Sequence, residues 1–440
     1  MDLETVRQNT TATILRFSVP AIVAMLLTSL ITVADGFFVG NYVGAEGIAA
    51  VNLGLPIIYL FLSIGLMVSV GGAALAQIAF GAGEQSACCQ TFRQTVATTV
   101  VFAVLTGAAV VLFFEPMLDI LGAQGQVREY FKSYYVILLP ELILMVVNSC
   151  LGMFIRGEGN PQFFMKVNVV SVLLNVVLDD VFAAVLHVGI AGIAVASLLS
   201  AAVSFGCLLY YFIKKATVYR LGAFSFSAAV CVKTLLNGSS EFIGEMSTGI
   251  AMFAYNFVIM RRIGVDGVTA FTIVGYVSYV FSMVVVGFGQ GVSPLVSFCF
   301  GAKEGGLARR LRRRTNRLVF AIGAALFLMM TALADWYGGL FVKNITIQEM
   351  VRSGMLIFTV SFFFCGMNAI TSFYFTAVGN ALASALISLS RGFVVLLACI
   401  FVLPAYFGMT GVWLAAPVTE AVTMVLCAVL VRRSDCFKAA

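Results

Sequence analysis

The chain has 440 residues, of which 61% are hydrophobic and 10% charged, with a net charge of +6 and a mean hydropathy of +1.04. A soluble globule carries a charged fraction nearer a quarter, so these values exclude one and describe a polytopic membrane protein. The expected fold class is an all-α integral membrane protein.

Crossing roughly 30 Å of hydrocarbon as helix takes about 20 apolar residues. Stretches of that length fall near 14–40, 52–79, 94–114, 130–152, 163–184 and 190–212, and again near 235–260, 270–299, 316–334, 350–375, 383–404 and 411–431. The second six repeat the first at an offset of 220 residues: Gly44, Gly47 and Ala50 answer to Gly264, Gly267 and Ala270, Phe80-Gly81-Ala82 to Phe300-Gly301-Ala302, and Gly159-Asn160 to Gly379-Asn380. A one-residue deletion then places Gly189 and Gly192 opposite Gly408 and Gly411. Six helices per copy is an even number, so both copies enter and leave on one side, and their pseudo-twofold axis runs along the membrane normal. The expected architecture is an N-lobe of residues 1–215, a linker of 216–233 and a C-lobe of 234–440, two six-helix bundles facing each other across a cleft.

Lys and Arg gather on one side of these spans, including the cluster Arg309, Arg310, Arg312, Arg313, Arg314 and Arg317 and the terminal Arg432, Arg433 and Lys438. By the positive-inside rule that side is cytoplasmic and holds both termini. The positive charge then reads as an insertion signal, and no nucleic-acid partner is expected. Residues 1–12 lack a short apolar core and a cleavage site, so no signal peptide is expected. None of the 10 cysteines forms a C-x-x-C pair, and the single His187 has no neighbouring ligand set, so an enzyme or a transition-metal centre is not expected.

A phosphate-cradling G-x-x-x-x-G-K-[ST] loop is missing, since Lys132-Ser133 and Lys233-Thr234 follow Phe131 and Val232 rather than Gly. That excludes ATP hydrolysis within the chain and leaves an ion gradient or passive movement. One charge falling through 100 mV is worth about 2.3 kcal/mol.

Carboxylates inside membrane helices cost about 2.5–3.5 kcal/mol each on insertion scales, so each needs a reason. In chain order the first helix carries Asp35, the fifth carries Asn175 and Asp179 one turn apart on a single face, and the sixth carries Ser197. At 1.5 Å per residue, Asp35 and Asp179 lie about 7 Å and Ser197 about 10 Å from the same, outer end of the bundle. Two carboxylates, an amide oxygen and a hydroxyl at one depth can cage a dehydrated cation or hold a proton between two acids. The alternative is that Asp35 caps its helix and Asp179 sits at the interface. Against it, the second copy has Tyr255 opposite Asp35 and Cys399 opposite Asp179, so the acids belong to one lobe. In the second lobe Glu241 and Glu245 share a face of the seventh helix, and Arg391 lies at about the depth of Glu245, roughly 14 Å from the inner ends. The two are expected to pair, either as a structural ion pair or as a gate or charged-substrate site.

Taken together, Ser18-Val19-Pro20, Ala34-Asp35-Gly36-Phe37-Phe38-Val39-Gly40, Phe80-Gly81-Ala82-Gly83, Arg156-Gly157-Glu158-Gly159-Asn160-Pro161 and Asn175-Val176-Val177-Leu178-Asp179 resemble the multidrug and toxic compound extrusion (MATE) family over nearly the whole chain. The resemblance implies an antiporter that exchanges Na+ or H+ for organic, often cationic, compounds by rocking two lobes, without a bound cofactor. It implies a coupling site at Asp35, Asn175, Asp179 and Ser197, with Asp35, Asn175 and Asp179 as ligands if the ion is Na+. Two departures stand out: Asp180 replaces the family's usual Pro, and Asn368 stands where another branch carries an acid in the second lobe. A monomer in a bacterial cytoplasmic membrane, in contact with lipid, is expected. The other reading is a flippase for lipid-linked saccharide or phospholipid; it would favour several basic residues in the cleft, and Arg391 alone is deep in the membrane.

Overall fold

A computed structural model describes residues 3–120 and 122–436, which leaves Met1, Asp2 and the expected inner-side Lys438 outside it. No strand occurs among the described residues. The N-lobe spans are α1 (Thr10–Tyr42), α2 (Leu55–Gly81), α3 (Gln85–Leu112), α4 (Gly125–Gly157), α5 (Pro161–Asp179) and α6 (Ile190–Lys214). A π-helical turn, Asp180–Val185, prolongs α5, and a short helix, Ala45–Leu53, leads into α2.

The C-lobe repeats the series with α7 (Ala228–Arg262), α8 (Val265–Gly301) and α9 (Gly305–Tyr337). The tenth span, α10 (Ile345–Ala377), contains a 3-10 turn at Phe358–Ser361. The remaining helical run is continuous by length, but Gly408 adopts φ 56° and ψ −133°, a conformation that only glycine holds cheaply. It divides the run into α11 (381–407) and α12 (409–436), so the expected twelve spans are all present. A π-helical turn, Ser390–Val394, interrupts α11.

The repeat is visible in hydrogen bonds as well as in helix order. Asn148 of α4 donates Nδ2–H to the Ala201 carbonyl of α6 at 3.0 Å, and its mate Asn368 of α10 donates to the Glu420 carbonyl of α12 at 2.8 Å. The first pair of residues stands 220 apart and the second 219, as the single deletion requires.

The lobes meet where α1 and α2 pack on α7 and α8. Glycines make that approach close. A Cβ on Gly81 would overlap the Phe298 carbonyl, and one on Gly301 would overlap the Ile78 carbonyl. A Cβ on Gly71 would stand 2.8 Å from the Gly238 nitrogen, and one on Gly291 2.6 Å from the Ser18 Cα. Gly81 and Gly301 end α2 and α8, so this seam lies on the side of the membrane that holds the chain termini.

Between α6 and α7 the connection folds onto the N-lobe. Glu158 accepts backbone N–H groups from Thr217 (2.8 Å), Val218 and Tyr219 (3.0 Å) and the Tyr211 hydroxyl (2.6 Å). Arg93 of α3 donates to the carbonyls of Arg220 and Ala223, both at 2.8 Å, and Gln94 to that of Ser227 at 2.8 Å. Backbone groups that leave a helix in polar surroundings need such partners, and here α3 and the end of α4 supply them. Ser227 then caps α7 by accepting the Val230 N–H.

Candidate functional site

The four N-lobe residues singled out by depth come together between α1, α5 and α6. Asn175 and Asp179 are both 0% exposed and Ser197 is 6% exposed, while Asp35 is half-buried. Ser197 donates its hydroxyl to Asp35 Oδ2 at 3.4 Å and accepts Asn175 Nδ2–H at 3.3 Å. The Asp179 carboxyl lies within hydrogen-bonding reach of Asp35.

Helix geometry explains the convergence. Asn175 and Asp179 are one turn apart on α5 and so share the face turned towards α1 and α6. Immediately beyond them the helix widens into the π turn that carries Asp180, a distortion that recurs at functional sites because it re-aims neighbouring side chains. Asp35 does not cap α1, since that helix runs on to Tyr42.

The donors available do not satisfy the acceptors present. Asp35 Oδ1, Asn175 Oδ1 and both Asp179 oxygens are buried without a hydrogen-bond donor. Buried oxygen atoms of this kind cost free energy unless something supplies positive charge or a proton. All four are hard oxygen ligands, which suits an alkali cation, and two adjoining carboxylates equally suit one shared proton. The cluster thus fits either form of monovalent positive charge.

One further acid belongs to this neighbourhood and was not singled out from the sequence. Glu141, in the middle of α4, is within electrostatic range of Asp35. Its signal was present in the sequence as a carboxylate following Pro140 inside an apolar span.

In the C-lobe the expected pairing of Arg391 with Glu245 is not what forms. Arg391 reaches Glu420 of α12 through Nε at 3.0 Å and Nη2 at 2.9 Å, and also approaches Cys365 Sγ at 3.2 Å. Asn368 holds the same carboxylate at 2.7 Å. Depth alone suggested Glu245, but the π turn aims Arg391 at α12 instead. Glu420, an acid in the middle of the last span, was the overlooked signal. Glu241 and Glu245 are left on α7 facing the other lobe, where Glu245 is within electrostatic range of Tyr59 of α2 and the Tyr59 ring lies 3.7 Å from a Cβ placed on Gly249.

At the C-lobe positions equivalent to the acid site, Tyr255 and Cys399 are again neighbours. Tyr255 stacks on Phe271 with ring centroids 4.6 Å apart, and Phe271 in turn stacks on Trp413 at 6.0 Å. Aromatic packing fills the place that oxygen atoms occupy in the N-lobe.

Comparison with known proteins agrees with this geometry. The family model MatE matches residues 20–181 and again 242–402, one match per lobe. A Multidrug export protein MepA from Staphylococcus aureus (strain bovine RF122 / ET3-1) is 22% identical over 418 residues, covering 92% of this chain and 90% of its own. Among solved structures, a MATE in complex with MaL6 superposes with a TM-score of 0.92 at 23% identity, covering 97% of each chain. The outward-facing conformation of a multidrug resistance MATE family transporter superposes with a TM-score of 0.87 at 24% identity, covering 97% of this chain and 96% of its own.

Proposed function

The chain belongs to the MatE family of membrane transporters, and from that premise we propose that it exports organic, cationic compounds in exchange for Na+ or H+ bound at Asp35, Asn175, Asp179 and Ser197. The observation that carries this reading is the set of four buried, donor-free oxygens on Asp35, Asn175 and Asp179. With both carboxylates ionised and nothing between them the pair repels itself, so one cation or one proton is needed at the site. Its occupancy follows the ion gradient and biases the relation of the two lobes, because a ligand shifts a conformational equilibrium by as much as its affinities for the two states differ.

Several features support the cycle. The glycine seam closes the lobes on the side of the termini, and Glu241 and Glu245 on α7 place two carboxyl groups at the lobe interface, where an organic cation could engage them. The flippase alternative asks for basic groups in that interface. Arg391, the arginine deepest in the membrane, is taken by Glu420, which leaves Arg156, lying 5.0 Å over the Phe164 ring, as the arginine that lines the recess between the lobes.

The test is ethidium transport in proteoliposomes, with a Na+ gradient and a pH gradient imposed separately, using wild type, Asp35→Asn and Asp179→Asn. Transport driven by one gradient and lost in both variants is expected. Coupled transport that survives both substitutions would sink the assignment of the site, and an absence of transport in the wild type under either gradient would return the flippase reading.

A further inference from the structure

The arginine cluster of 309–317 contributes nothing to the transport site. We propose that this face of α9 binds the phosphate headgroups of anionic phospholipids in the leaflet on the side of the chain termini. At 100° per residue, Arg309, Arg310, Arg313, Arg314 and Arg317 fall within an arc of about 140°. The sixth arginine, Arg312, points the other way, is 8% exposed and lies over the Tyr374 ring at 5.3 Å.

With Gly306, the five arginines on the arc line a solvent-open recess of about 410 Å³. It occupies the first turns of a 33-residue helix, whose N-terminal partial charge adds to the positive field. Among the described residues no carboxylate pairs with Arg310, Arg313 or Arg317. Arg314 donates to the Thr11 hydroxyl at 2.8 Å, and the nearby Glu304 is engaged by Arg7 at 2.7 Å.

Two observations point to lipid rather than to another anion. Further along α9 the same face continues into Phe320 and Leu328, which are 43% and 65% exposed, so the guanidinium groups stand directly above an apolar surface that can take acyl chains. The repeat supplies the second. Opposite this face, 220 residues earlier, α3 carries Gln90, Arg93 and Gln94, and there the connection between the lobes covers the helix and offers its carbonyls to all three. On α9, Arg310, Arg313, Arg314 and Arg317 stay exposed.

Insertion polarity needs only a number of charges near the span and would be met by arginines scattered round the helix. Their confinement to one arc, above an exposed apolar strip, is what a headgroup site requires. Forked guanidinium donors match phosphate oxygens two at a time.

The experiment measures the thermal unfolding midpoint of the full-length protein in detergent against rising phosphatidylglycerol, phosphatidylcholine or inorganic phosphate. Phosphatidylglycerol is expected to raise it saturably, while the other two leave it unchanged. The triple variant Arg310→Gln, Arg313→Gln, Arg317→Gln should need about a hundredfold more phosphatidylglycerol, while Arg432→Gln with Arg433→Gln responds as wild type. If the glutamine variant does not insert, the corresponding triple Lys variant keeps the charge count and should bind about tenfold more weakly, having lost the fork. Equal stabilisation by phosphatidylcholine, stabilisation by inorganic phosphate, or a wild-type response from the triple variant tested would each overturn the proposal.

Discussion

The two lobes share a frame and differ in chemistry at one matched place. In the N-lobe Asp35 and Asp179 meet with Asn175 and Ser197 around oxygens that have no donor; in the C-lobe Tyr255 and Cys399 meet at the equivalent point, backed by Phe271 and Trp413. The framing interaction, an asparagine donating to a carbonyl on the last helix of its bundle, is kept in both. A duplicated scaffold can therefore keep its packing rules in two copies and gather acids in one, because the side chains that hold the bundle are not those that form the acid cluster.

The comparison breaks most sharply at the acids. Asp179→Asn or Asp35→Asn should reduce gradient-driven efflux by about a hundredfold or more, since a ligand to a buried positive charge is worth about 2–5 kcal/mol. Tyr255→Phe, at the matched C-lobe position, should leave the rate within about twofold, as its hydroxyl has no partner to lose. Proteoliposome flux for the three variants checks both halves, and a Tyr255 variant as damaged as the acid variants would erase the asymmetry.

Next in size is the ion pair of the C-lobe. Glu420→Gln leaves Arg391 without its carboxylate inside the bundle and should cost about 3–5 kcal/mol of stability, seen as a lower unfolding midpoint. Replacing both by Met should recover much of that loss. A double variant that is stable but inactive would show that the pair acts in transport as well as in packing.

The glycine seam tests where the copies are truly equivalent. Gly81→Ala and Gly301→Ala each press a methyl group onto a backbone carbonyl of the other lobe and should destabilise the closed seam by about 1–3 kcal/mol. The two costs should agree, and cysteine cross-linking across the seam in each variant would reveal any inequality. Smallest is Ser197→Ala, which removes one donor to Asp35 and should slow efflux about fivefold. Ser197→Thr, which keeps the hydroxyl, should restore it.

Much of this was legible in the sequence. Apolar stretches gave the spans and the 220-residue offset gave the two bundles, because both depend on patterns that solvent enforces along the chain. The convergence of Asp35, Asn175, Asp179 and Ser197 could also be anticipated, since they sit at matching depths on neighbouring helices. Arg391 marks the boundary of that method. Depth suggested Glu245, but depth does not say which way a residue faces, and the π turn in α11 directs Arg391 to Glu420. The cover that the lobe connection forms over α3 was equally hidden, because it rests on backbone carbonyls that carry no sequence signature.

The seam has a property that its individual contacts do not display. Gly81 meets Phe298 while Gly301 meets Ile78, and both pairs are related by the 220-residue offset; Gly71 meets Gly238 while Gly291 meets Ser18, related in the same way. Each patch thus touches its own counterpart in return, which is the signature of an isologous interface between two identical subunits. In symmetry terms the molecule is a homodimer written on one chain, and the connection between the lobes acts as a tether that sets their effective concentration. Two half-chains divided within that tether carry all the surfaces needed to find each other again.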